Sequence, residues 1–417
     1  MQHQKAVDAV LAGRNCGRAS GIWVAPCADE FPKPTLPIRV CMAAFKLVGV
    51  IDEDPFATPT WSGISPHFFG ALDRKQVLHR AISARPSNAA RLLYKALSVQ
   101  PKKSHWRFRY HLNLGYYRRM TAAARRQIVD MDPSQYQVIL QIGAWYDMTR
   151  WSKKKVVSYH DGNLATLLAS PYGYPPISRR HTDAALKYER ELYSRLDLIM
   201  PMSRWLADSF IRDNGVPSRK VVPVGAGVNL PRIAETRSRD YSAPRILFVG
   251  KAFERKGGAV LLRAFARVRR EIPDAELTII GPEFSSPSEG VRSLGFVSKS
   301  DPDGVDRLLE EYQRASLFVM PSLYEPYGIV FAEAMAHRLP CIGADNCAMP
   351  EIIKHGETGY VVPVRDEVAL ANRLVELLRD PTACRQMGDY GYEKYRREHT
   401  WDAVTQRMCE AISSVLE

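Results

Sequence analysis

Glu325 and Glu333, spaced Glu-x7-Glu in the stretch SLFVMPSLYEPYGIVFAEAMAHRLP (residues 316–340), have the types and spacing for paired-carboxylate chemistry. The apolar run Ser316 to Met320 predicts a buried strand of a parallel sheet, and Ile329 to Ala336 predicts the helix after it. Between them, Glu325, Pro326, Tyr327 and Gly328 stand where a strand gives way to a helix. In open α/β sheets that edge receives ligands. The N–H groups of Gly328, Ile329 and Val330 would meet an anion or sugar hydroxyls there. Glu333 lies in an otherwise apolar helix, where a buried carboxylate needs a partner. A vicinal diol such as a ribose would offer two donors to its two oxygens. The spacing equally fits two ordinary acids, one in a solvated turn and one at a half-exposed position.

Three further groups invite the same question. RILFVG, KAFERKGG and AVLLRAFARVRREI form a strand, a basic loop and a helix. That arrangement gathers backbone amides and the charges of Lys251, Arg255 and Lys256 around a phosphate, although these side chains could as well be solvated. His160 ends the strand KKVVSYH, at the sheet edge from which a side chain reaches a cleft; a structural histidine in a turn fits equally. Ser62, Gly63 and Ser65 form a small-residue loop ahead of the apolar run His67 to Leu72, suited to a diphosphate or to an ordinary turn. Ser203 reads as a helix N-cap.

EPYGIVFAEAM resembles the signature of family-4 retaining glycosyltransferases, which have the two-domain GT-B fold, and the resemblance runs from about residue 38 to the C-terminus. It implies an α/β architecture of two Rossmann-like doubly wound domains facing each other across a cleft. It also implies Glu333 on the ribose hydroxyls, Glu325 and the amides of Gly328, Ile329 and Val330 on the sugar, and Lys256 with Lys251 on the diphosphate. Lys251 stands where arginine is usual, keeping the charge and losing the bidentate fork, with Arg255 beside it to compensate. His160 matches a histidine near the reacting carbon. Gly63 matches a glycine facing the diphosphate, without the usual double glycine. The backbone around Phe296 and Val297 matches the nucleobase site.

The elements that must hold these groups follow from length and pattern. With 417 residues, two domains are the prior. Residues 1–37 read as a loose extension, 38–232 as the acceptor-side domain, 240–395 as the donor domain, and 396–417 as a C-terminal helix crossing back, with Trp401 as its anchor. Strands are expected from Ile38 (IRVCMAAF) and in QVILQIG, KKVVSYH, RLDLIMPMS, VVPVGAGVNLP, AELTIIG, SLGFVS, LPCIGAD and GYVVPV. Helices are expected at Lys75 to Arg85, Asn88 to Val99 and Leu114 to Val129. The connector between Gly227 and Arg245 is short enough for a hinge.

Hydrophobic residues are 46% of the chain and charged ones 25%, a globular composition without a run long enough to span a bilayer. The N-terminus has no signal-peptide core, so a cytoplasmic protein is expected. The seven cysteines are scattered and lack a CxxC pair, which argues against a disulfide framework or a zinc site. The net charge of +13 arises in one place: 74–126 carries fourteen Lys and Arg and no acid. Trp106, Phe108, Tyr110, Tyr116 and Tyr117 are interleaved with it. A solvated basic arm explains this segment, and so does an anionic membrane surface; nucleic acid is not the expected partner.

The expected activity is metal-independent transfer of a hexosyl unit from a UDP- or GDP-sugar to a saccharide or lipid-linked acceptor, as in cell-surface polysaccharide or glycoconjugate synthesis. No cofactor and no metal are expected, since no DxD-like motif stands in a suitable loop. A catalytically silent nucleotide-sugar-binding protein, an epimerase and a phosphorylase are the alternatives on this scaffold.

Overall fold

The computed structural model describes residues 45–172, 178–234, 239–283 and 288–417. The extension expected over 1–37, and most of the strand expected from Ile38, lie outside the described residues.

The first half runs β1 (Leu47–Ile51), α1 (Ile64–Arg74), β2 (Leu78–Ser83), α2 (Asn88–Leu97), α3 (Lys103–His111), α4 (Leu114–Val129), β3 (Val138–Ile142), β4 (Lys155–His160), α5 (Leu164–Ala169), α6 (Arg179–Arg195), β5 (Leu198–Pro201) and α7 (Arg204–Arg212). Its strands form a parallel sheet in the order β2-β1-β3-β4-β5. The second half runs β6 (Arg245–Val249), α8 (Gly258–Glu271), β7 (Glu276–Ile280), β8 (Val291–Ser293), α9 (Pro302–Arg314), β9 (Leu317–Met320), α10 (Ile329–Ala336), β10 (Cys341–Ala344), α11 (Met349–Ile352), β11 (Gly359–Val362), α12 (Glu367–Arg379), α13 (Pro381–Glu398) and α14 (Trp401–Ser413). Its sheet, also parallel, has the order β11-β10-β9-β6-β7-β8.

Strands covered by helices on both faces must be apolar throughout, and β1, β3 and β9 are buried at every residue. The strand order reverses beside β1 in one sheet and beside β6 in the other. In doubly wound sheets such reversals open crevices at the carboxyl ends of the strands.

Three expectations need correction. Lys75 to Arg85 is not a helix: α1 runs to Arg74, Gln76 takes φ +58, and Leu78–Ser83 pairs with β1 as a half-buried edge strand. Edge exposure blurs the apolar alternation that would have signalled it. VVPVGAGVNLP forms only a bridge between Val221 and Ile199, followed by bonds from Val222 and Val224 to β5 carbonyls. SLGFVS overshoots, because β8 stops at Ser293 and Gly295 turns the chain with φ +66.

α14 returns to the first sheet's helices. Arg74 on α1 pairs with Asp402 at 3.0 Å, Trp401 donates its indole N–H to the Val228 carbonyl at 3.0 Å, and its ring meets Phe68 edge-on at 5.6 Å.

Candidate active site

A cavity of about 510 Å³ lies between the carboxyl edges of the two sheets. Its second-half wall is the loop from β9 into α10. Glu325, Gly328, Ile329, Val330 and Glu333 all line it, together with Arg255 and Lys256 from the loop after β6. The Glu-x7-Glu pair and the basic loop, distant in sequence, are thus brought to one space.

Glu325 is held from one side. Lys256 Nζ lies 2.8 Å and Arg255 Nη1 3.2 Å from the same carboxylate oxygen. Burial pushes this carboxyl up, but Lys256 and then Arg255 outweigh it and hold the group below the usual range. The basic loop reaches this far because Gly257, at φ +75, lies against the end of β9; a Cβ there would sit 1.9 Å from the Pro321 carbonyl oxygen.

Glu333 is fully buried, on a helix otherwise apolar as expected. The Tyr312 hydroxyl donates to one oxygen at 3.2 Å, and Lys299 Nζ meets the other at 2.5 Å. One side of the carboxylate is therefore fixed in the core, and the partly exposed Lys299 covers the side that reaches the cavity. Gly328 at φ +91 starts α10 without a side-chain cap, leaving the N–H groups of Ile329 and Val330 for a ligand oxygen.

The first-half wall differs from expectation at His160 and at Gly63. His160 turns away from the cavity, and its neighbour Asp161 lines it instead. Along a strand alternate side chains take opposite faces. His160 shares a face with Ser158, whose hydroxyl it meets at 2.8 Å, and packs edge-on to Tyr193 and Phe210. Burial lowers its pKa to about 3, so the ring is neutral. Asp161 accepts the Trp61 indole N–H at 3.1 Å, and burial raises its carboxyl. Trp61 and Ser62 line the cavity at φ +50 and +56, as does Ile64, whereas Gly63, expected to face the diphosphate, does not line it: at φ +86 it serves as the turn residue that precedes α1.

Lys251 and Val297 are not among the lining residues. Lys251 lies over the exposed Phe296 ring, 4.7 Å from its centroid, and Val297 is half-buried beside it. Lys299, Tyr324, Asp161 and Trp61 reach the cavity without having been foreseen. Asp161 was legible as the acid following the strand end. Lys299 carried no signal, because its role depends on the fold bringing it 34 positions along the chain to Glu333.

Residues 233–394 match the family described as glycosyl transferases group 1. The matched stretch takes in the second sheet and the loop that carries Glu325 and Glu333. A D-inositol 3-phosphate glycosyltransferase from Streptomyces avermitilis is 25% identical over 61% of the chain and 64% of its own length. An N-acetyl-alpha-D-glucosaminyl L-malate synthase from Bacillus anthracis is 34% identical over 33% of the chain and 38% of its own length. The chain thus spans less than two thirds of either of these glycosyl transferases. Among solved structures, the sucrose-phosphate synthase of Thermosynechococcus elongatus superposes with a TM-score of 0.64 at 18% identity, covering 89% of this chain and 99% of that one. Anabaena Alr3699/HepE, in complex with UDP and glucose, gives a TM-score of 0.57 at 15% identity, covering 89% and 100%. With its two parallel sheets, the chain has the GT-B fold of these glycosyl transferases.

Proposed function

We propose that this chain is a retaining glycosyltransferase that moves a hexosyl unit from a nucleotide-diphosphate sugar to a hydroxyl of a saccharide or lipid-linked acceptor. The carrying observation is the convergence of Lys256, Arg255, Glu325 and the start of α10 on one cavity that Glu333 also reaches. A UDP donor is favoured over GDP by the UDP bound to Anabaena HepE.

In this reading Lys256 and Arg255 hold the diphosphate and stabilise the charge that grows on it as the sugar–phosphate bond breaks. That is preorganised electrostatic stabilisation, supplied here by side-chain cations, and the reaction proceeds without a metal. Glu325 and the amides of Ile329 and Val330 orient the sugar, and Glu333 holds a ribose hydroxyl. The acceptor oxygen bonds the anomeric carbon on the face the phosphate leaves, and its proton passes to the departing phosphate oxygen.

The basic segment fits an anionic membrane surface. α2 exposes Leu92 (67%), Leu93 (53%) and Leu97 (59%), with Val99 beyond it, among lysines and arginines. Among the described residues no helix is long and apolar enough to cross a membrane, so contact would be peripheral.

Thermal unfolding with UDP-, GDP- and ADP-sugars, each with and without chelator, tests the reading. One donor should raise the melting temperature by roughly several degrees at 100 times its Kd, since saturation of that order adds about 2.7 kcal/mol. Chelator should leave the shift and the transfer rate unchanged. Absence of any shift would overturn the donor site; loss of transfer on chelation would overturn metal independence.

A further inference from the structure

A second cavity, of about 200 Å³, sits at the carboxyl edge of the first sheet beneath α2, α3 and α4. Asp52 and Glu53 follow the end of β1, and Arg85 follows the neighbouring strand β2. Arg91 and Lys95, one turn apart on α2, face the same space. These five charged groups line one small cavity, yet none forms an ion pair with another or with any other described residue. Arg91 makes one side-chain hydrogen bond, to the Asn88 amide oxygen at 3.2 Å.

Elsewhere the chain pairs its charges freely, as at Lys256–Glu325, Lys299–Glu333 and Arg195–Asp147. Carboxylates and cations that share a cavity without meeting are complementary to a ligand that bridges them: hydroxyl donors for the acids and an anion for the cations. Tyr110 and Tyr116, ring centroids 4.8 Å apart, with Trp145 beyond, supply apolar walls for the carbon skeleton. The cavity opens at the same carboxyl edge as the donor space: Asp52 follows β1, and Asp161, which lines the larger cavity, follows β4, two strands along the same sheet.

We infer that this cavity receives the acceptor, and that the acceptor is a polyol or sugar carrying a phosphate, with its hydroxyls toward Asp52 and Glu53 and its phosphate toward Arg85, Arg91 and Lys95. The inference rests on the glycosyl transfer proposed above. The phosphate belongs either to a free polyol phosphate or to a lipid headgroup.

The test measures binding to the full chain, in the presence of a donor already shown to bind, of a hexose phosphate, an inositol phosphate and a glycerol phosphate. Each is compared with its unphosphorylated counterpart, and phosphatidylinositol vesicles are compared with phosphatidylcholine vesicles. At least one phosphorylated member should bind ten times or more tighter than its counterpart. Arg91→Gln with Lys95→Gln should lose that preference about tenfold while keeping the donor-induced thermal shift, and Lys102→Gln with Lys103→Gln, outside the cavity, should keep both. Response to soluble phosphates identifies a free acceptor, and response to phosphatidylinositol vesicles alone identifies a headgroup; both support the inference. Equal binding with and without phosphate, or a preference untouched by the Arg91 and Lys95 changes, overturns it while leaving the donor reading intact. Failure of every donor to bind removes the parent reading instead.

Discussion

Glu351, at the start of α11, accepts the backbone N–H of Trp205 at 2.6 Å and, through its other oxygen, that of Arg204 at 2.8 Å. The N-terminus of α7, a first-half helix, is thus capped by a carboxylate from the second half, in addition to its own Ser203, which accepts from Leu206. Tyr327 reinforces the junction by accepting the Ala226 N–H at 3.0 Å. These bonds join the two walls of the cavity. Hydrogen bonds to a charged group are worth about 1.5–3 kcal/mol each. Glu351→Ala should therefore loosen the junction without unfolding either sheet. Amide exchange at Arg204 and Trp205 should accelerate at least tenfold, with a larger radius of gyration in solution scattering; unchanged exchange would show that the cap does not hold the halves together.

The two lysines of the basic loop should not be equivalent. Lys256 touches Glu325 inside the cavity, whereas Lys251 is exposed and rests on Phe296 outside it. Lys256→Ala should lower kcat by roughly 10²–10³-fold, the scale seen when one preorganised stabilising group is removed. Lys251→Ala should cost less than about tenfold, mostly in donor KM. Steady-state kinetics on both variants decide this, and equal losses in kcat would place Lys251 on the diphosphate after all.

Stability should fall in acid for an identifiable reason. Burial lowers both His160 and His399 to about 3, against 6.5 in an unfolded chain. The folded form leaves both rings neutral while the unfolded chain takes up protons. The stabilisation is complete above pH 6.5 and is lost as pH drops from there toward 3, at up to about 1.4 kcal/mol per pH unit per histidine. His160→Gln removes one such group. Urea midpoints at pH 7.5 and 5.5 should fall less in the variant than in the parent chain; parallel falls would show that His160 does not contribute.

What the sequence made legible divides along physical lines. Ser316 to Met320 and Ile329 to Ala336 were foreseen to within a residue, because an apolar run and a following helix are local signals. Glu325, Glu333 and the basic loop announced themselves by spacing. The direction of His160 did not, since strand parity decides it and one position of register exchanges it with Asp161. β2 was mistaken for helix because an edge strand with one half-buried face lacks the continuous apolar run of its neighbours. Lys299 and Glu351 were invisible, as both act on residues far along the chain.

Lys299 offers the sharpest test of how Glu333 is used. Its ammonium covers one oxygen of a fully buried carboxylate, and Tyr312 holds the other. Removing one partner of a buried pair leaves a charge under-satisfied and destabilises the fold; partial exposure of Lys299 softens that loss. Lys299→Ala should therefore lower the melting temperature of the ligand-free protein. If a ribose hydroxyl bonds Glu333 in the complex, the donor supplies the missing partner, and the donor-induced shift should be larger in the variant than in the parent chain. A smaller shift would mean that Lys299 itself binds the donor and that Glu333 serves to hold the lysine. Differential scanning fluorimetry with a saturating nucleotide sugar separates the two arrangements, and Tyr312→Phe, which removes the core-side bond, should weaken donor binding only a few-fold in the first.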